Sequence, residues 1–430
     1  MSTLLKNCLL VTLDPPCAEK GDLRINGRLI TARGAVLAPA GGDETVDLGG
    51  NVVIPGMVCA HTHLYSSLAR GMNGPPRTPR SFLQILRRIW WKLDRALDDE
   101  SVYYSAAAGA LESLRCGTTL LFDHHSSPEA IPGSLDIIQE ALRDVGLRGV
   151  LCYEVTDRGG KKERDAGLEE NRRFLDATEG DGLFRGLVGA HASFTLGKAS
   201  LEACGELASE YGTGVHIHVA EDAADVRDAR RRSGTGLLKR LERAGIAREG
   251  SVFAHGVHLR EPEFRALEKT GAWLVHNPRS NMNNGVGHAP VQLFPSRSAL
   301  GTDGFPADMF EEARTGFFRA QEEPPACGTR VASFLAGGWA LASSVFGTHF
   351  GSLAPGDAAD LAVLAYRSPT PVSPANAAGH FLFGFRSANV ESVMVGGKWA
   401  LWNGSLPLID EEALMTKARD AAARLWKKLA

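Results

Sequence analysis

Eight short apolar runs constrain the fold of this chain most strongly, because each ends on a side chain that can bind a metal or move a proton. The runs end at His61, Asp123 with His124, Glu154, His191, His218, His255, His276 and Asp303. Continuous apolar runs are typical of strands buried on both faces. Since helical patterns lie between them, the sequence predicts an α/β fold, a (βα)8 TIM-like barrel. An open doubly wound sheet would show the same alternation, but it would not need a polar residue at every strand end.

The two ends of the chain carry a different pattern. A hairpin with an Asn26-Gly27 turn is predicted near the start, and another around Gly396 and Gly397 near the end. Because neither hairpin can bury a face alone, we expect both to join one small β-sandwich. The predicted parts are a composite β-sandwich of residues 1–54 and 355–405, a catalytic barrel of residues 55–354 and a C-terminal helix within residues 406–430. Further helices are predicted over residues 134–144, 169–177, 200–211, 223–244 and 308–320.

Composition excludes several classes of protein. The 430 residues carry 47 basic and 50 acidic side chains, so nothing predicts attraction to nucleic acid or to an anionic membrane surface. No apolar window is long enough for a signal peptide or a membrane span. The seven cysteines are dispersed without a Cys-x-x-Cys spacing, which argues against a disulfide framework and a cysteine-rich metal site. We therefore expect a cytoplasmic enzyme.

Paired histidines point to a metal site. His61 and His63 lie two residues apart on one predicted strand, so both imidazoles can reach one ion. A third ligand is available from a second pair, His216 and His218. Alternation along the strand lets both members of that pair face the same way, so spacing does not choose between them.

Other strand ends offer acid–base groups. Glu221 is suited to carry protons beside a metal, although it could also be a first-turn residue stabilised by a helix dipole. Asp303 could complete the metal site, or it could cap the next helix. His255 and His276 are single strand-end histidines, for which we favour a functional role over a buried structural one. The Trp90-Trp91 pair is expected to pack rather than to stack on a ligand, although it could also line a pocket mouth over an aromatic substrate.

Taken in order, these motifs resemble the amidohydrolase superfamily, and more narrowly its adenosine-type, guanine and 8-oxoguanine deaminases and its triazine hydrolases. The resemblance runs from about residue 50 to the end, with motifs at residues 55–63, 216–221, 253–258, 276–281 and 301–304. The segments that begin at Trp90, Phe122, Gly189 and Gly301 are similar to SsnA-type aminohydrolases.

The resemblance implies a role for each residue. The metal ligands would be His61, His63, His218 and Asp303, with Glu221 as proton shuttle and His255 positioning the attacking water. Substrate contacts would come from His191, His276 and His124, the last standing where some deaminases have a substrate-binding glutamate. Binuclear members carry a carbamylated lysine at the end of strand 4. Because this chain has Gly189-Ala190-His191 there, we expect one metal.

The predicted activity is hydrolysis of a C–N bond with one divalent metal ion, zinc by preference, with iron or manganese as alternatives. The favoured reaction is deamination of a purine, pterin or related heterocycle, a small-molecule substrate. One alternative is removal of another group, as triazine hydrolases remove chloride or an amine. Another is a non-catalytic barrel that acts as a scaffold. Relatives suggest a homo-oligomer.

Overall fold

The structure is a computed structural model that describes residues 2–322 and 326–429. Its strands in these residues are β1 (Ser2–Leu13), β2 (Pro16–Asn26), β3 (Leu29–Gly34), β4 (Asp43–Asp47), β5 (Val52–Pro55), β6 (Met57–Thr62), β7 (Thr118–His125), β8 (Arg148–Tyr153), β9 (Phe184–Gly186), β10 (Val188–Ala192), β11 (Val215–Val219), β12 (Val252–His255), β13 (Trp273–His276), β14 (Ser298–Leu300), β15 (Leu361–Leu364), β16 (Val390–Val395) and β17 (Lys398–Leu401). Its α-helices are α1 (Phe82–Ile85), α2 (Trp91–Ala96), α3 (Asp99–Arg115), α4 (Ser134–Val145), α5 (Lys161–Thr178), α6 (Lys198–Glu210), α7 (Ala223–Ser233), α8 (Leu237–Arg243), α9 (Glu261–Glu268), α10 (Pro278–Asn283), α11 (Met309–Gln321), α12 (Arg330–Phe346), α13 (Ala377–Gly379) and α14 (Glu411–Leu429).

Each of the eight predicted apolar runs forms a buried parallel strand. The fourth run is divided between two strands, because its backbone hydrogen bonds pass from β8 to β11 at the middle of the run. The amide of Leu187 still bonds to Leu151 beside β8, whereas the amide of Val188 bonds to Gly214 beside β11. Strands β6 to β9 therefore form one parallel sheet, and β10 to β14 form a second.

The two parallel sheets meet at both edges through isolated bridges and a few backbone hydrogen bonds, without a continuous ladder. Thr62 bridges to Asp303, and Val155 bridges to Ala190. The continuous ladders are thus two sheets of four and five strands rather than the one closed barrel that the sequence predicts. Short strands explain this, because β14 has only three residues and the adjoining chain extends past it as a loop.

Helices lie between the parallel strands, as predicted. Four of the five predicted internal helices appear with shifted ends, and the terminal helix is α14. The fifth, predicted over residues 223–244, is divided into α7 and α8. Gly234 has a left-handed φ of 65° at the end of α7, which ends that helix. Among the described residues, no helix has the length and apolarity needed to cross a bilayer.

The β segments from the two chain ends pair in one mixed sheet. Its order is β17-β16-β15-β5-β1-β2-β3, and β4 pairs with β1. The side chains alternate, so Val52 and Ile54 pack into the main core while Val53 packs into a smaller second core. The predicted pairing of the two ends is therefore present as a single sheet, and a two-layer sandwich remains a prediction.

A buried ion pair joins this terminal sheet to the parallel sheets. Arg148 on β8 donates to Asp360 through Nε at 2.8 Å and through Nη2 at 2.9 Å, and both side chains are almost fully buried. Asp360 also accepts a hydrogen bond from the amide of Gly396 in the β16–β17 turn. The Asp360 carboxylate thus holds β8 against β15, which begins at the next residue, and against the β16–β17 hairpin.

We predict that Asp360→Ala lowers the free energy of unfolding by about 3–5 kcal/mol, because it leaves the Arg148 guanidinium buried without its partner. Urea unfolding followed by circular dichroism measures the change. The control is Glu202→Ala, which removes an exposed ion pair with Lys198 and should cost about 0.5 kcal/mol or less. Equal effects of the two substitutions would contradict the role given to Asp360.

Candidate metal centre and active site

Four side chains converge where the parallel strands end. The ligand atoms of His61, His63, His218 and Asp303 all lie within 4.8 Å of one another. His63 Nε2 lies 3.1 Å from His218 Nε2 and 3.0 Å from Asp303 Oδ1. His61 Nε2 is buried without a hydrogen-bond partner among the described residues, 4.0 Å from Asp303 Oδ1.

Hydrogen bonds behind the histidines orient their rings. His63 Nδ1 donates to the carbonyl oxygen of His124 at 2.6 Å, and His218 Nδ1 donates to that of His191 at 2.7 Å. His61 Nδ1 lies 2.9 Å from His216 Nε2. Because each Nδ1 is occupied, the three Nε2 atoms are left for a common centre. His218 therefore faces the centre, whereas His216 supports His61 from behind.

The electrostatics of this cluster favour a cation. Burial lowers the pKa of His61 and of His218 well below the usual range, so both rings are neutral. Burial alone would also lower the pKa of His63, but the hydrogen bond and charge of Asp303 raise it to about 9. Positive charge is thus stabilised where the donor atoms meet. Donors that each lie about 2.0–2.1 Å from one ion are about 3.3 Å apart, so this set fits a divalent metal.

Gly189 on β10 leaves no space for a side chain. A Cβ atom added there would lie 2.2 Å from the carbonyl oxygen of Tyr153, which belongs to the backbone at the end of β8. Any other residue at this position would require β8 and β10 to move apart.

Glu221, His255 and Asp303 form an acid–base group on one side of the candidate metal centre. His255 Nε2 lies 3.7 Å from Glu221 Oε2 and 3.8 Å from Asp303 Oδ2. His255 Nδ1 lies 2.8 Å from Asn281 Oδ1, and Glu221 Oε1 accepts a hydrogen bond from Asn284 Nδ2 at 3.2 Å. Burial, reinforced by the charge of Asp303, raises the pKa of Glu221 well above its usual range. Glu221 is therefore suited to hold a proton near neutral pH.

Strained backbone supports this group. Ala220, His255 and Asp303 have φ values of 52°, 82° and 53°, which lie in the left-handed region that non-glycine residues seldom adopt. Such conformations persist only where surrounding contacts hold them, and they cluster at active sites. They turn the side chains at three strand ends towards the same centre.

A cavity of about 310 Å³ opens beside the centre and reaches Glu221, His191 and Asp303. Its lining is strongly aromatic and includes Tyr65, Phe82, Trp90, Trp91, Phe194 and Phe305. The two tryptophans, which the sequence assigns to packing, are half-buried and line the cavity as well as contacting the core. A planar ring would find both apolar faces and polar groups here.

Two predicted substrate contacts do not reach this cavity. His124 lies behind the centre, where its Nε2 donates to the carbonyl oxygens of Ala190 and His216, both at 3.1 Å. His276 is buried against Phe294, with ring centroids 5.5 Å apart. Neither side chain is among those that line the cavity. A strand-end position indicates nearness to the site but not which layer of it a side chain occupies.

Sequence reasoning did not assign a role to several cavity residues. The sequence indicates Glu154 only as a strand end, and it includes Asp94 on α2 only as a member of the segment that begins at Trp90. Ser280, which hydrogen bonds to Asp303, and Asn284 lie in α10 and just after it. Their positions depend on how helices and loops return over the strand ends, for which the local sequence carries no signal.

Comparison with known proteins places this geometry in context. The model of the Amidohydrolase family matches residues 52–400. The chain is 30% identical to 5'-deoxyadenosine deaminase of Methanopyrus kandleri over 395 residues, 89% of each chain. It is 28% identical to 5-methylthioadenosine/S-adenosylhomocysteine deaminase of Syntrophomonas wolfei over 424 residues, 95% of each chain.

Solved structures share the fold along almost the whole chain. An adenosine deaminase from Xanthomonas campestris with bound zinc matches with a TM-score of 0.84 and 23% identity, over 98% of each chain. A zinc complex of atrazine chlorohydrolase from Arthrobacter aurescens matches with a TM-score of 0.82 and 20% identity, over 98% of this chain and all of the other. With a family match that spans most of its length, the chain belongs to the amidohydrolase family.

Proposed function

We propose that this protein is a metal-dependent hydrolase that removes an amino group from a nitrogen heterocycle and releases ammonia. The observation that carries the proposal is the convergence of His61, His63, His218 and Asp303 beside Glu221, at one end of an aromatic cavity. The deaminases named among its relatives support the same reaction class. We also propose that residues 55–354 form the catalytic barrel, with residues 1–54, 355–405 and 406–430 surrounding it.

His61, His63, His218 and Asp303 would hold one divalent ion, and zinc is the ion that three imidazoles and a carboxylate favour. Iron or manganese also suits such a mixed set of nitrogen and oxygen donors. A divalent cation in this position supplies hydroxide at neutral pH, since it lowers the pKa of water from about 15.7 to about 7. The absence of a lysine from Gly189-Ala190-His191, where the resemblance places one in binuclear members, supports a single ion.

Glu221 is the proton carrier of the proposed reaction. Its carboxyl group lines the cavity, and its raised pKa lets it take a proton from the attacking water and keep it. It then returns that proton to the substrate, because an amine leaves readily only after protonation. Asn284 holds Oε1, so that Oε2 remains available for this transfer.

His255 and Asp303 orient the attacking water. His255 Nδ1 donates to Asn281 Oδ1, which leaves the Nε2 lone pair towards Glu221 and Asp303. Burial keeps the ring neutral by lowering its pKa. An acceptor nitrogen and a carboxylate oxygen therefore face the same point, and together they fix the direction of a water lone pair. His191 is the proposed contact to the substrate on the other side of the cavity.

Metal removal tests the first part of this proposal. We predict about one equivalent of divalent metal in the purified protein by elemental analysis. Ammonia release from aminated purines, pterins and triazines should disappear after dialysis against a chelator and return with zinc, iron or manganese. Activity that survives complete metal removal would contradict the proposed mechanism. Metal without ammonia release would instead favour another leaving group, such as chloride.

Replacing the proton carrier tests the second part. We predict that Glu221→Gln lowers kcat for ammonia release by about 100- to 10,000-fold, because an amide cannot carry the proton. Metal content should not change. Glu170→Gln is the matched control, because Glu170 is also buried but pairs with Arg173 on α5, outside the cavity. An unchanged kcat in Glu221→Gln would remove Glu221 from the mechanism.

A further inference from the structure

Three charged side chains that the proposed reaction does not use meet at the cavity wall. Arg158 Nη1 lies 2.9 Å from Asp94 Oδ2, and Arg158 Nη2 lies 3.3 Å from Glu154 Oε1. Asp94 and Glu154 are 1% and 3% exposed, and both line the cavity. We call these three residues the Arg158 cluster. With two carboxylates and one guanidinium, the cluster has more hydrogen-bond acceptors than its own donors occupy.

Asp94 has an oxygen without a partner. Among the described residues, its Oδ1 is buried and accepts no hydrogen bond, although Oδ2 is bound to Arg158. Native proteins rarely leave a buried charged acceptor unsatisfied, because the loss of hydration is not compensated. A donor supplied by a ligand in the cavity would satisfy this atom.

Glu154 also has an oxygen atom that can accept a hydrogen bond from a ligand. His124 Nε2 donates to two backbone carbonyl oxygens, so His124 Nδ1 carries the lone pair of the neutral ring. Glu154 Oε2 lies 3.3 Å from that nitrogen, without a hydrogen bond between the two atoms. Glu154 Oε1 faces Arg158 and lies 3.8 Å from His191 Nε2, so it is the oxygen that can accept from a ligand beside His191.

His191 adds a third acceptor to the same wall. The hydroxyl of Thr195 donates to the carbonyl oxygen of Ala192 at 3.0 Å, so its oxygen accepts from His191 Nδ1 at 2.7 Å. The proton of the neutral ring is then on Nδ1, and Nε2 faces the cavity as an acceptor. Asp94, Glu154 and His191 thus present acceptors, whereas Glu221 and His255 lie in a separate group with Asp303.

The position of Glu154 identifies which part of a ligand it contacts. A carboxylate oxygen of Glu154 lies within 4.8 Å of ligand atoms of His191 and His218. The carbon under attack must lie beside the metal centre, so an atom touching Glu154 belongs to the reacting ring and not to a distant substituent. A second cation is disfavoured here, because the Arg158 guanidinium would repel it.

We propose that the Arg158 cluster selects a heterocycle with ring N–H donors, a lactam-type free base rather than an adenine nucleoside. Glu154 and His191 accept from the ring, while Arg158 is a positioning residue that holds both carboxylates. The ring nitrogens of an adenine nucleoside are all acceptors or substituted, so they would leave this wall unsatisfied. This inference rests on the proposed deaminase function and names its substrate class.

The test compares two groups of compounds on the metal-loaded enzyme. Guanine, 8-oxoguanine and isoxanthopterin carry ring N–H donors, whereas adenosine and 5'-deoxyadenosine carry none. We expect kcat/KM for the preferred lactam to exceed that for 5'-deoxyadenosine by about 100-fold or more. Glu154→Leu should lower this ratio by about 100-fold, because it removes the acceptor that faces the ring. Asp94→Asn should lower it in the same direction, and Glu170→Gln should leave it unchanged.

A binding measurement separates this inference from the proposed reaction. Xanthine has ring N–H donors and no amino group, so calorimetry reports its binding without turnover. Binding to the wild-type protein that weakens about 10-fold or more in Glu154→Leu supports the inference even if no compound releases ammonia, an outcome that would overturn only the deaminase function. A preference for 5'-deoxyadenosine, or xanthine binding that is absent or unaffected by Glu154→Leu, would overturn the inference. A preference for 5'-deoxyadenosine would leave the deaminase function intact.

Discussion

Three buried imidazoles can serve one ion only if each directs an unprotonated nitrogen to the same point, and the rest of this site depends on how that is achieved. The proton on each Nδ1 must be held from behind, because a neutral ring can otherwise exchange its tautomer. In this chain the carbonyl oxygens of His124 and His191 hold His63 and His218, while His216 lies behind His61. The backbone at two other strand ends thus determines the tautomer of the ligands.

This arrangement explains why neighbouring strands, and not only the ligand-bearing ones, end in polar residues. The carbonyl of His124 is useful only while the His124 ring is fixed, and that ring is fixed by carbonyl oxygens of β10 and β11. The His124 ring also lies beside Glu154, and Glu154 contacts Arg158 at the cavity wall. Metal centre and cavity wall are therefore joined by one series of polar contacts, so that a change at one strand end affects the next.

Much of the fold could be predicted from the sequence because burial on both faces leaves a clear local pattern. The eight apolar runs, the two hairpins and the terminal helix are all present. The same strands order the candidate ligands, and the structure brings His61, His63, His218 and Asp303 together. Local pattern could not show that β14 is too short for a continuous ladder, or that the fourth run changes partner at Leu187. It also could not place Asp94 or Arg158, because the approach of a helix and a loop to the strand ends is a tertiary property. Nor could it show that His276, at the end of β13, packs against Phe294 instead of lining the cavity.

The pairing of β5 with β15 has a consequence for biosynthesis. The pairing of Val52–Pro55 with Leu361–Leu364 cannot form until the later strand, more than 300 residues further along the chain, has been synthesised. At about 5–20 residues per second, the ribosome needs roughly 15–60 s to supply that partner. During this interval β5 can pair only with β1, so its other edge is unpaired next to β6, the strand that carries His61 and His63. A chaperone that shields nascent strands would have its greatest effect on this segment, and the metal-binding strand would gain its final support only when synthesis is nearly complete.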